Sequence, residues 1–258
     1  MVRVLVFDLE TDRLLSRPRR DNHRELRVTV ACACLFDLFP GSGGADVDAD
    51  ADADAEGPRW ITWVDGGSSS AEKEEEEEQS LTLEDALGPA MDEADAVVAY
   101  NGRDFDLRVL RNSCASAAVD RWERKLIDPF EAIRRATGSW VKLDELLEAN
   151  CLPRKAGDGV SAVDWWAAGE KARVAEYCRS DVEGLVALVS LPRFAFPIKT
   201  WRLPAPAAKG DDPANTANTA GAGRSVQVVT GWAELDWSDY FFSEISFRDG
   251  GRPPPEKK

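Results

Sequence analysis

Cysteine is sparse. Cys32, Cys34, Cys114, Cys151 and Cys178 are odd in number, scattered and never spaced C-x-x-C, which argues against both a disulfide framework and a zinc site. Reduced, mostly buried thiols are the expectation. No apolar run approaches the roughly 18 residues that span a bilayer, and no charged-then-apolar leader opens the chain. The expected protein is therefore soluble and intracellular, cytoplasmic or nuclear, with no membrane partner. Histidine is scarcer still: His23 stands alone in an early basic connection, where a surface position is expected. What the chain does have is an apolar share of 43% and nine tryptophans over 258 residues, enough to build a core without staples.

A net charge of −15 would ordinarily weigh against a nucleic-acid partner, because phosphate binding draws on Lys and Arg. The charge is unevenly spread. Residues 40–79 hold 13 acidic residues against Arg59 and Lys73, so the rest of the chain carries 34 acidic against 30 basic residues. Most of the excess sits in two low-complexity tracts, at about 41–58 and 66–79, which have the composition of disordered inserts decorating a hairpin.

Val2 to Asp12, V-R-V-L-V-F-D-L-E-T-D, is apolar, rich in valine and predicted to be a central strand. Period two puts Asp8 and Glu10 on one face at its end. Two carboxylates so placed repel by roughly 4 kcal/mol at 4 Å and an effective dielectric near 20, which a divalent cation relieves. Further strands are predicted over Val28–Phe36, Trp60–Val64, Ala94–Tyr100 and Leu126–Asp128. Helices are predicted from Ser80 or Thr82 as cap through Met91, then over Phe105–Asn112, Phe130–Thr137 behind Pro129, Leu143–Ala149, Ser161–Ala168 and Lys171–Leu191. The order strand, sharp loop, helix around residue 101 presents Asn101, Phe105 and Asp106 at a sheet edge.

Tyr177 and Asp181, four apart, share one helix face. With Asp8, Glu10 and Asp106 they make four carboxylates and a phenol at the ends of core elements. That set suits two oxygen-loving cations about 3.5 to 4 Å apart, clamping the attacking and leaving oxygens of a phosphodiester, with the phenol positioning the water. Each motif alone is weak, since D-x-E recurs at Asp54/Glu56 and Asp181/Glu183 and Y-x-x-x-D at Tyr100/Asp104. Their order, contexts and intervals of about 95 and 75 residues carry more weight.

In combination, Asp8-Leu9-Glu10-Thr11, Asn101 through Phe105-Asp106, and Tyr177 through Asp181 resemble the three motifs of the DEDD superfamily of 3′–5′ exonucleases. The phrases A-E-Y-C-R-S-D-V-E-G-L and K-A-G-D-G-x-x-A-V-D-W-W look like its ribonuclease-H-like predicted exonuclease branch, and Tyr177 places the chain in the tyrosine subtype. The resemblance covers residues 1 to about 190. It implies an α/β, ribonuclease-H-like three-layer fold with a mixed central sheet of about five strands flanked by helices. It also implies 3′–5′ exonuclease activity on single-stranded DNA or RNA ends. By resemblance Asp8, Glu10, Asp106 and Asp181 would ligate two Mg2+ or Mn2+ ions and Tyr177 would orient the water. Thr11, Asn101 and Phe105 would frame the terminal nucleotide or brace the ligands. Lys142, Arg154, Lys155, Arg173 and Arg179 are the phosphate-contact candidates.

The expected organisation is a ribonuclease-H-like exonuclease domain over 1–192 and a C-terminal extension over 193–258, with a flexible linker at 205–223 and an aromatic segment at 226–247 that packs back or docks a partner. The alternative function is a catalytically silent module of the same fold that binds nucleic acid, or a protein partner through the acidic tracts or the aromatic segment.

Overall fold

A computed structural model describes residues 1–15, 22–38, 57–66, 81–153, 159–202 and 226–248. Most of both acidic tracts, the 205–223 linker, Arg154 and Lys155 lie outside these residues. The first strand, β1 (Val2–Thr11), alternates its side chains between two buried faces. Val4 and Val6 enter one core, while Leu5, Phe7 and Leu9 enter the other. A strand apolar on both faces belongs at the centre of a sheet covered on both sides.

β1 pairs antiparallel with β2 (Val28–Leu38), which pairs antiparallel with β3 (Arg59–Val64). On its other edge β1 runs parallel to β4 (Ala96–Val98), and β4 parallel to β5 (Leu126–Ile127). The result is a mixed five-stranded sheet in the order β3-β2-β1-β4-β5. The predicted strand at 94–100 is shorter than expected, because its ladders with β1 and with β5 both end at Val98 and Ala99 and Tyr100 run past them.

The Leu5/Phe7/Leu9 face is covered by α1 (Leu83–Glu93), α2 (Asp106–Leu110) and α3 (Ser116–Lys125), with Leu87, Met91, Leu107, Leu110 and Trp122 as the bulk of that core. Thr82 caps α1, accepting the Asp85 N–H at 3.1 Å. The opposite face carries α4 (Pro129–Thr137), α5 (Leu143–Ala149), α6 (Gly159–Ala167) and the long α7 (Lys171–Val189). Gly184 of α7 lies so close to α5 that a Cβ there would stand 2.8 Å from Leu147 Cδ1.

After α7 the chain forms a separate antiparallel ribbon of β6 (Arg193–Arg202) and β7 (Val226–Asp236), followed by α8 (Trp237–Arg248). Trp237 and Phe241 of α8 and Phe194 and Phe196 of β6 are buried in the same core as α7, and the Trp237 indole donates to Val189 O at 3.0 Å. Among the described residues no helix is long and apolar enough to cross a membrane. All five cysteines are free, and only Cys151 is exposed.

Candidate metal centre

The alternation that buries Val4 and Val6 beneath α7 continues to the end of β1, so Asp8 and Glu10 emerge on the face that α7 covers. The β1–β2 register shifts between Glu10 and Thr11, where Glu10 faces Val30 and Thr11 faces Val28. A bulge at a strand end bends it and re-aims its side chains, here beside the acidic pair.

From above, α7 supplies Tyr177 and Asp181, one turn apart and both turned into the core. One carboxylate oxygen each of Asp8, Glu10 and Asp181 lies within 4.8 Å of the other two. Glu10 is 8% and Asp181 5% exposed, so the cluster is largely withdrawn from water. The Tyr177 phenol ring meets the Trp165 edge with centroids 5.9 Å apart, and the Arg173 guanidinium lies 4.1 Å over the same indole. Beneath the cluster the Cys178 thiol sits 3.4 Å from Asp8 O and 3.8 Å from Asp8 Oδ2, its ionisation pushed well up by burial.

Asp106 arrives from the other side. It opens α2, is 2% exposed, and its Oδ1 is buried without a hydrogen-bond partner among the described residues. Burial pushes its carboxyl well above the usual range, and the Asp8 charge adds to that, while the Leu9 backbone N–H pulls the other way. Asp106 is thus not one of the three converging carboxylates, although the Asp8 charge acts on it.

This donor set fits a hard divalent cation. All donors are carboxylate oxygens, three converge, and the fourth holds an orphaned oxygen in a buried place where negative charge is unfavourable without a counter-ion.

The other sequence candidates stand as follows. Thr11 is buried and its hydroxyl donates to Arg13 O at 2.9 Å. Asn101 adopts a left-handed backbone, φ +60°, and its N–H donates to Asp128 Oδ1 at 2.9 Å. Phe105 packs onto the α1/α2/α3 core, its ring edge-on to His23 at 5.9 Å. His23 is therefore not the surface residue expected: it is buried, because Phe105 covers its ring. Arg173 pairs with Glu170 and Arg179 with Glu183, each at 2.9 Å, and Arg179 also lies 4.2 Å over Trp60. The Lys142 backbone N–H donates to Glu145 at 2.8 Å at the start of α5.

Sequence reasoning overlooked Asp128. Its carboxylate accepts from both Asn101 N and Phe130 N, and burial pushes it up to about 6. The Asp128-Pro129 pair is a legible signal, an N-cap followed by proline at the first helical position.

A family profile described as the RNase_H superfamily matches residues 62–191. Among solved structures the chain is similar to the family B DNA polymerase from the hyperthermophilic archaeon Pyrobaculum calidifontis. Identity there is 14% and the TM-score 0.45, over 73% of this chain and 24% of that one. It is also similar to the zinc-ion-bound form of the E. coli ExoI–ssDNA complex, at 15% identity and a TM-score of 0.33, over 74% of this chain and 40% of that one. The chain spans less than half the length of either neighbour. No curated protein matches it.

Proposed function

Since the chain belongs to the RNase_H superfamily, whose profile covers half of it, we propose that it is a metal-dependent 3′–5′ exonuclease of the DEDD type, tyrosine subtype. It would hydrolyse the terminal phosphodiester of single-stranded DNA or RNA. The observation that carries this reading is the convergence of Asp8, Glu10 and Asp181 within 4.8 Å, on the face covered by the helix that bears Tyr177.

Asp8, Glu10 and Asp181 would hold one Mg2+ or Mn2+, and Asp8 with Asp106 a second. When bound, the cations neutralise the carboxylates and stabilise negative charge on the attacking and leaving oxygens of the phosphodiester. The protein's own residues supply the rest. Tyr177, fixed on α7 with its ring against Trp165, offers its phenol oxygen to orient the attacking water and accept its hydrogen bond. The bulge beside Glu10 and the α7 backbone hold the ligands on rigid elements, so that little reorganisation accompanies the reaction. Water adds to phosphorus, the bond to the 3′ oxygen of the preceding nucleotide breaks, and a nucleoside 5′-monophosphate leaves. Thr11, Asn101 and Phe105 remain candidates for framing the terminal nucleotide or bracing the ligands.

The test is digestion of 5′-labelled single-stranded DNA and RNA with Mg2+ or Mn2+, wild type beside Asp8→Ala and Asp181→Ala. A ladder that shortens from the 3′ end, abolished by EDTA and by either substitution, is expected. A folded protein that binds the oligonucleotide without shortening it would instead favour the silent binding module.

A further inference from the structure

The turn from Tyr100 to Phe105 delivers Asp106, and it is tightly packed. Asn101 stands at φ +60°, the left-handed region that asparagine tolerates better than most side chains. Gly102 is packed so closely that a Cβ would stand 2.5 Å from the Ala99 Cβ. Internal hydrogen bonds close the turn, from Phe105 N to Asn101 O at 3.1 Å and from Leu107 N to Gly102 O at 2.9 Å. A contact from outside the turn holds its entrance.

That contact comes from Asp128, 27 residues on. Its Oδ1 accepts the Asn101 N–H at 2.9 Å and the Phe130 N–H at 3.0 Å. One side chain therefore caps α4 and ties down the turn before Asp106. Capping alone does not account for it, because a serine would serve a helix N-terminus as well. An aspartate here is 3% exposed and keeps Oδ2 buried with no hydrogen-bond partner among the described residues, an arrangement costly enough to need a compensating role. Charge-assisted bonds to two backbone N–H groups are stronger than neutral ones, which suits a clamp on a tight turn.

We propose that Asp128 is a positioning residue for the metal centre: by clamping the Asn101 backbone it sets the location of Asp106, and through it the cation shared with Asp8. The proposal rests on the exonuclease reading above and adds a residue which that reading leaves without a role.

Asp128→Ser separates the two jobs of the side chain, since its shorter hydroxyl caps α4 but cannot span to Asn101. Asp128→Asn keeps an acceptor oxygen where Oδ1 stands. In the full chain, Mn2+ affinity is measured by equilibrium dialysis, and kcat and KM on a labelled oligonucleotide. For Asp128→Ser the expected result is a tenfold or greater loss of both Mn2+ affinity and kcat, with KM within threefold of wild type. For Asp128→Asn both return to within about threefold of wild type. A folded Asp128→Ser that matches a wild type which binds Mn2+ and cuts overturns this proposal alone, as does an Asp128→Asn no better than the serine variant. A wild type that neither binds Mn2+ nor cuts overturns both this proposal and the exonuclease reading.

Discussion

Replacing Asp181 with asparagine should stabilise the protein without metal and remove about half of the stabilisation that metal brings. At the 4.8 Å limit of the cluster and an effective dielectric near 20, each pair of ionised carboxylates repels by roughly 3 kcal/mol. Asp181 takes part in two of the three pairs formed with Asp8 and Glu10. Solvent around the half-buried Asp8 screens part of that cost, so the expected gain in EDTA is about 1 to 3 kcal/mol, at about 2 to 4 °C in Tm per kcal/mol for a domain of 150 to 250 residues. With Mn2+ at 100 times the Kd of each site, the two-ion wild type should gain about 5.4 kcal/mol and the variant, left with the ion of Asp8 and Asp106, about 2.7 kcal/mol. Thermal and urea unfolding of both proteins, with EDTA and with Mn2+, measures all four stabilities. An Asp181→Asn protein less stable than wild type in EDTA, beside a wild type indifferent to Mn2+, would show that these carboxylates are held by protein contacts and await no cation.

Three further outcomes are expected. Tyr177→Phe should lower kcat on an oligonucleotide by on the order of a hundredfold while leaving the Mn2+-induced shift in Tm intact; equal kcat would remove the phenol from the reaction. Gly102→Ala forces a methyl group against Ala99, 2.5 Å away, and should cost about 1 to 3 kcal/mol in urea unfolding and weaken Mn2+ binding by shifting the turn before Asp106. Asp128, raised from 3.8 to about 6 by burial, keeps its proton in the folded state where the unfolded chain has lost it. Its contribution is therefore complete below about pH 4 and is lost as pH rises through about 6, amounting to roughly 3 kcal/mol. Asp128→Asn should flatten that part of the stability–pH curve in EDTA, and an unchanged curve would refute the assignment.

The parts of the fold that could be read from the sequence are those with a strict local period. Alternation along Val2–Thr11 placed Asp8 and Glu10 on one face, and four-residue spacing placed Tyr177 with Asp181, because both periods follow from backbone geometry alone. Helix α3 escaped notice because only Ala118, Val119 and Trp122 of its ten residues are buried, too few to mark a stripe. The burial of His23 depends on Phe105, 82 positions away, and no window of sequence contains that pairing. The same holds for Trp237, whose indole finds Val189 O only once α8 has folded back on α7. Asp128 could be recognised as a helix cap, but its second bond, to Asn101, is a tertiary contact. The spacing of the acidic motifs nominated Asp106, whereas its burial at the start of α2, outside the converging trio, emerges only in three dimensions.

The most direct test of the metal centre is a count of Mn2+ bound per chain, by equilibrium dialysis with electron paramagnetic resonance of the free ion. Two ions are expected on the wild type, one on Asp106→Asn, and neither with comparable affinity on Asp8→Asn, whose carboxylate both ions would share. Binding by Asp8→Asn equal to wild type, or no bound Mn2+ on a folded wild type at millimolar concentration, would contradict the account.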